Sequence, residues 1–198
     1  MRSLVPCLIA AAFMLAAVPS PALSPADAAL AERARDYLQN LTSAKAHFTQ
    51  ISARGAVSEG TFFLQRPGRA RFDYDPPAQL TVASDGHLVT VVDGRLKTVQ
   101  NYPLGATPLG LFLAKQIRLD RGVQVMEVLH VQGAFTLIAR HLGKPNQGQI
   151  ALTFAESPLA LSGWTITEPR GAVTRVRLTG LTSTAAHDRR FFEISRPN

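Results

Sequence analysis

At 198 residues, with 21 Lys+Arg against 14 Asp+Glu and a formal net charge of +7, the chain can bury a sizeable core but is short for two domains. The basic residues are dispersed, and no Lys/Arg tract with interleaved aromatics marks a nucleic-acid surface. The one cysteine, Cys7, excludes a disulfide framework.

The chain opens on Met1-Arg2, an apolar run and the small-residue stretch Ser20-Pro21-Ala22. The run is about 15 residues, short of the roughly 20 that a spanning helix needs. Residues 1–22 therefore read as a cleaved export signal and residues 23–198 as one mature domain. Cys7 stands within the apolar run and not behind it, so neither a lipid anchor nor a disulfide is expected in the mature chain. Ser24-Pro25 then supplies an N-cap and a first-turn proline. Leu30, Ala34, Tyr37, Leu38 and Leu41 follow at i, i+4, i+7, i+8 and i+11, which predicts a helix over 25–40 with one apolar face.

From Lys45 the period changes to that of strands. Residues 48–51, 60–65 and 69–74 read as strands, with a turn at Arg66-Pro67-Gly68-Arg69 and a stop at Asp75-Pro76-Pro77. Strands at 80–84, 87–92 and 95–100 are separated by Asp85-Gly86 and Asp93-Gly94, the strongest short hairpin signal, and predict an antiparallel meander. Thr107-Pro108 repeats the cap-plus-proline start and opens a short helix to Lys115, with Leu109, Phe112 and Leu113 on one side. A helix of two turns is marginal alone and depends on packing. Strands resume at 123–131, 135–141, 149–154, 161–167 and 173–178, with turns at Lys144-Pro145-Asn146 and Pro169-Arg170-Gly171. Phe191 to Ile194 reads as a last edge strand.

No constellation of catalytic or metal-binding residues stands out. His47, His87, His130, His141 and His187 are scattered without zinc-site spacing. Ser84, Ser157 and Ser162 lack a nucleophile elbow, and no phosphate-cradling glycine loop occurs. The reading is a non-enzymatic binding protein with no cofactor and no metal. Arg66 is the polar residue of interest. In an extended strand Phe62, Leu64 and Arg66 share a face, which aims Arg66 at the rim of an apolar interior. There its planar donors would reach free carbonyls at the end of a covering helix. A solvated strand-end charge is the alternative.

The order of these segments resembles the LolA-type periplasmic carriers of outer-membrane lipoproteins. The resemblance rests on Ala46-x-Phe48-Thr49-Gln50, Gly60-x-Phe62-x-Leu64-x-Arg66-Pro67-Gly68, Arg71-Phe72-x-Tyr74 with Pro77, Ser84-Asp85-Gly86, and Thr107-Pro108-Leu109. Leu161-x-Gly163-Trp164 and Thr174-x-Val176-x-Leu178 extend it over most of the mature chain. The resemblance implies an α+β fold: an antiparallel sheet curled into a half-barrel, with an N-terminal helix and a short lid helix over an apolar cavity. It implies binding of triacylated lipoproteins released by an inner-membrane ABC transporter, and delivery to an outer-membrane receptor, by a periplasmic monomer. It also links the arginine that Arg66 matches to lid closure. The expected acyl-binding and lid residues are Phe62, Leu64, Arg66, Phe72, Leu109, Phe112, Leu113 and Trp164. Ala70 stands where the family often has a bulkier residue, and with the end at Asn198 the extra C-terminal segment of some members is not expected. A periplasmic sensor of lipid or lipoprotein on the same fold is the alternative function.

Overall fold

In the computed structural model, residues 23–119, 122–142 and 148–194 are described. The leader at 1–22 and the Lys144-Pro145-Asn146 turn lie outside the described residues. Helix α1 (Pro25–Asn40) begins as its sequence dictates: the Ser24 hydroxyl accepts from the Asp27 amide at 3.1 Å. Its buried stripe is Ala31, Ala34 and Leu38, small enough to let the helix lie close to the sheet. At its start Asp27 bonds His130 at 2.7 Å, and that bond, with one from Ser24, holds the carboxyl below its ordinary range.

Eleven strands form one antiparallel sheet. The first six are β1 (Ser43–Ile51), β2 (Val57–Gln65), β3 (Arg69–Tyr74), β4 (Leu80–Asp85), β5 (Leu88–Asp93) and β6 (Thr98–Pro103). After a 3-10 turn (Leu104–Ala106) and helix α2 (Leu109–Leu113) come β7 (Val123–Val131), β8 (Ala134–His141), β9 (Gln149–Glu156), β10 (Leu159–Thr167) and β11 (Val173–Ser183). The spatial order is β6-β5-β4-β3-β2-β1-β11-β10-β9-β8-β7, so β1 and β11 close the two meanders against each other and β6 and β7 are the edges.

The sheet curls strongly. Phe72 on β3 and Trp164 on β10 are four strands apart, which in a flat sheet would be about 19 Å. Their ring centroids are 6.0 Å apart. The expected half-barrel is therefore the fold, with buried apolar residues of the inner strands alternating on the concave side under α1 and α2. Gly60 is where two strands crowd: a Cβ there would lie 2.1 Å from the Asp73 carbonyl oxygen and 2.9 Å from the Phe48 ring. Beside it Tyr74 packs edge-on to Phe48 at 5.0 Å and donates to Gln50 at 2.9 Å. Burial pushes its phenol up to about 12, the Gln50 bond opposing.

Three expectations are corrected. The third meander strand runs Thr98–Pro103, not 95–100. The Asp93 carboxylate accepts from the Leu96 amide and Lys97 takes φ 52°, so the loop is four residues instead of a two-residue hairpin. Thr107 does not cap α2. Its hydroxyl bonds back to the Leu104 carbonyl at 2.8 Å, completing the 3-10 turn, and the helix is confined to Leu109–Leu113. Phe191 to Ile194 is not an edge strand. Residues Arg189–Phe192 form a 3-10 turn on the convex side, where Phe191 meets Phe63 edge-on at 4.9 Å. Arg71 lies over the Phe191 ring at 4.9 Å and donates to its carbonyl at 2.7 Å. Aromatic packing and side-chain bonds thus replace a strand ladder.

Candidate functional site

The concave floor is built from alternate residues of neighbouring strands. Phe62 faces Phe72 across β2 and β3, rings 4.8 Å apart, and Leu64 faces Ala70. Trp164 reaches in from β10, edge-on to Phe62 at 5.4 Å. Phe112 descends from α2 and stacks on Trp164 at 6.0 Å and 29°. Leu113 and Leu64 are fully buried, while Leu109 is half-buried at the rim. These expected residues therefore gather in one apolar layer between sheet and helix.

Arg66 lies at the edge of that layer with 8% of its surface exposed. One terminal nitrogen donates to the Leu38 carbonyl in the last turn of α1. The other donates at 2.6 Å to the carbonyl of Ala114, which ends α2. Free carbonyls at a helix C-terminus carry partial negative charge, so a guanidinium suits them. No carboxylate pairs with Arg66 among the described residues, and its Nε has no partner. Burial lowers its pKa, yet arginine keeps its charge at any pH a cell meets. The Gly68 amide adds a bond to the Leu113 carbonyl at 2.8 Å, and the Ser84 hydroxyl fixes the turn by donating to the Gly68 carbonyl at 2.7 Å. Gly68 has φ 79°, and a Cβ there would meet the Gly86 Cα at 2.6 Å.

Gln39 completes the fastening. Its amide nitrogen donates to the Lys115 carbonyl at 3.2 Å, and its oxygen accepts from the Ile117 amide at 3.0 Å. The sequence carries no mark of this role, because both bonds join positions more than seventy residues apart. Beneath α1 and α2 lies a cavity of about 40 Å³, lined by Leu38, Leu111, Phe112, Leu137, Ile150 and Leu152 among others. It is apolar and sits on the β7–β9 side, whereas Phe62, Leu64, Phe72 and Trp164 are packed together. Of the expected site residues, Phe112 alone lines it. The strand readings at 135–141 and 149–154 did not show where space would remain. No cluster of His, Cys, Asp or Glu able to hold a metal occurs among the described residues.

The family model described as outer membrane lipoprotein carrier protein LolA matches residues 39–195. The chain belongs to the LolA family. An outer-membrane lipoprotein carrier protein of Methylococcus capsulatus is 27% identical over 176 residues, covering 83% of each chain. A protein of the same description from Leptothrix cholodnii is 36% identical over 95 residues, 43% of this chain and 45% of its own length. A crystal structure of an uncharacterized conserved protein from Thermus thermophilus has a TM-score of 0.50 at 10% identity, covering 85% of this chain and 95% of the other. That last likeness concerns the fold alone.

Proposed function

We propose that this LolA-family chain carries the acyl chains of lipoproteins across the periplasm, from an inner-membrane ABC transporter to an outer-membrane receptor. On this reading residues 1–22 are removed on export, residues 23–198 work as one monomeric, non-enzymatic domain, and Phe62, Leu64, Phe72, Leu109, Phe112, Leu113 and Trp164 form the acyl-binding layer. The observation that carries it is the Arg66 staple, which holds the C-terminal ends of two helices over an apolar half-barrel. Among the described residues no helix is long and apolar enough to cross a membrane.

The physics of the task favours such a device. Exposing about fourteen methylenes of one acyl chain to water costs on the order of 10 kcal/mol, at ~0.8 kcal/mol each. A shuttle must hide that surface and also give it up. A space of about 40 Å³ holds little more than a few water-sized groups, so an acyl chain enters only when the roof lifts. Lifting strains the Arg66 bonds, and their re-formation favours expulsion of the chain. Arg66 is thus the spring of the carrier, and the aromatic layer is its shield.

The test is extraction. Inner-membrane vesicles holding a labelled triacylated lipoprotein and its transporter are given ATP and the mature chain. The expected result is a soluble complex of lipoprotein and carrier. Lipoprotein that stays in the vesicles at all carrier concentrations rejects the proposal.

A further inference from the structure

The roof is fastened unequally. Toward β2 and β3 it is held by three hydrogen bonds, two from Arg66 and one from the Gly68 amide, while Gln39 ties the end of α1 to the segment after α2. The two from Arg66 are charge-assisted, and the one to Leu38 is buried. Toward β7, α1 is tied by the bond between His130 and Asp27, whose side chains are 54% and 23% exposed. Exposed pairs of this kind contribute little.

The spaces follow the same asymmetry. The buried apolar cavity shares Arg35, Ile117 and Leu119 with a surface groove of about 630 Å³ along α1. It shares Ala31, Leu119, Val123 and Val125 with a second groove of about 390 Å³ between α1 and edge strand β7. Leu119 lines all three. The interior therefore meets solvent through a thin apolar seal on the β7 side, around Leu119, Val123 and Val125, beyond the Gln39 bond to the Ile117 amide.

We propose that acyl chains enter and leave through this seal, between the first half of α1, Leu119 and β7, on the side of the roof away from Arg66 and Gln39. The inference rests on the carrier reading given above. The occupant is the acyl part of a lipidated polypeptide, because the groove beside β7 is continuous with the apolar interior and is itself lined by Leu23, Ala28, Val123 and Leu142. The polar end has a matching place. The larger groove holds Gln116 and Arg35, donors suited to ester and peptide carbonyls, with Arg35 held in position by Glu32 at 2.7 Å and Asp36 at 2.8 Å. An acyl chain can then lie inside while its glyceryl ester and peptide stay at the surface.

The test reversibly ties the lips of the β7-side groove. Ala28 and Gln124 line it from α1 and β7, and Ala28 is exposed. The full chain carrying Ala28→Cys, Gln124→Cys and Cys7→Ser is bridged with a short bis-methanethiosulfonate reagent and later released with reductant. The probe is a synthetic tripalmitoylated cysteinyl peptide with a fluorophore on its peptide end, mixed by stopped flow. Bridging is expected to slow association about tenfold or more, and reduction of the same sample to restore it. Association at the unbridged rate in the bridged protein overturns the portal while leaving the carrier reading intact. Failure of the wild-type chain to bind the probe overturns the carrier reading, and the portal with it.

Discussion

Replacing Arg66 by Leu tests the staple. In the closed roof the variant leaves the Leu38 and Ala114 carbonyls without their donors. Each charge-assisted bond lost is worth about 1.5–3 kcal/mol, and each buried carbonyl left unpaired costs about 1–3 kcal/mol on overlapping accounts. Against this, removing a buried guanidinium with no carboxylate partner returns its desolvation cost. A net loss of about 3 kcal/mol is the balance, equivalent to roughly a hundredfold shift toward the open roof. The Gly68 amide, bonded to the Leu113 carbonyl at 2.8 Å, is the natural reporter because it is exposed only when α2 lifts. Its native-state hydrogen exchange should quicken about a hundredfold in Arg66→Leu. Arg66→Lys, with a point charge able to meet one carbonyl, should fall between. The Leu variant should still load lipoprotein but hand it on poorly, since the open state no longer strains any bond. A folded Arg66→Leu protein with wild-type Gly68 protection would refute the reasoning.

Three further outcomes are expected. Trp164→Ala removes the ring on which Phe112 stacks and against which Phe62 and Phe72 pack, and should lower stability by about 3–5 kcal/mol in urea unfolding. Gly60→Ala drives a Cβ onto the Asp73 carbonyl at 2.1 Å, and a loss of more than about 4 kcal/mol, or no folded protein, should be seen by thermal unfolding. The Tyr74 phenol, raised to about 12 by burial, favours the neutral form in the folded state; its contribution is complete below about 10 and is lost as pH climbs through about 12. The alkaline fall in stability should therefore be shallower in Tyr74→Phe, and an unchanged curve would show that the ring is not shielded.

Local chemistry was legible wherever one residue settles a backbone choice. Ser24-Pro25 placed the start of α1, Asp85-Gly86 placed a hairpin, and the alternation through Phe62 and Leu64 placed an apolar strand face, while the curl of the sheet was implied by the family resemblance alone. Asp93-Gly94 misled because the Asp93 carboxylate captured the Leu96 amide and lengthened the loop. Phe191-Phe192 looked like a strand because aromatic runs favour sheets, but their partners were Phe63 and Arg71 on the convex side, more than a hundred residues away. For Arg66 the direction of the side chain could be read, since it shares a strand face with Leu64. That helix-end carbonyls would accept was expected, but which ones was not, because the carbonyls of Leu38 and Ala114 are backbone atoms brought together only by the fold. The cavity was hidden for a related reason. Leu137, Ile150 and Leu152 alternate in the same way as fully packed residues, and only the height of α1 and α2 above them leaves room.

The most direct test of the carrier account is delivery. The soluble complex of carrier and labelled triacylated lipoprotein, freed from inner-membrane vesicles, is mixed with outer-membrane vesicles bearing the receptor. The account predicts that lipoprotein moves into the outer-membrane fraction while the carrier stays in solution, and that Arg66→Leu, loaded equally, retains its lipoprotein. Lipoprotein that remains with the wild-type chain, or that returns to inner-membrane vesicles as readily as it enters outer-membrane ones, would contradict it.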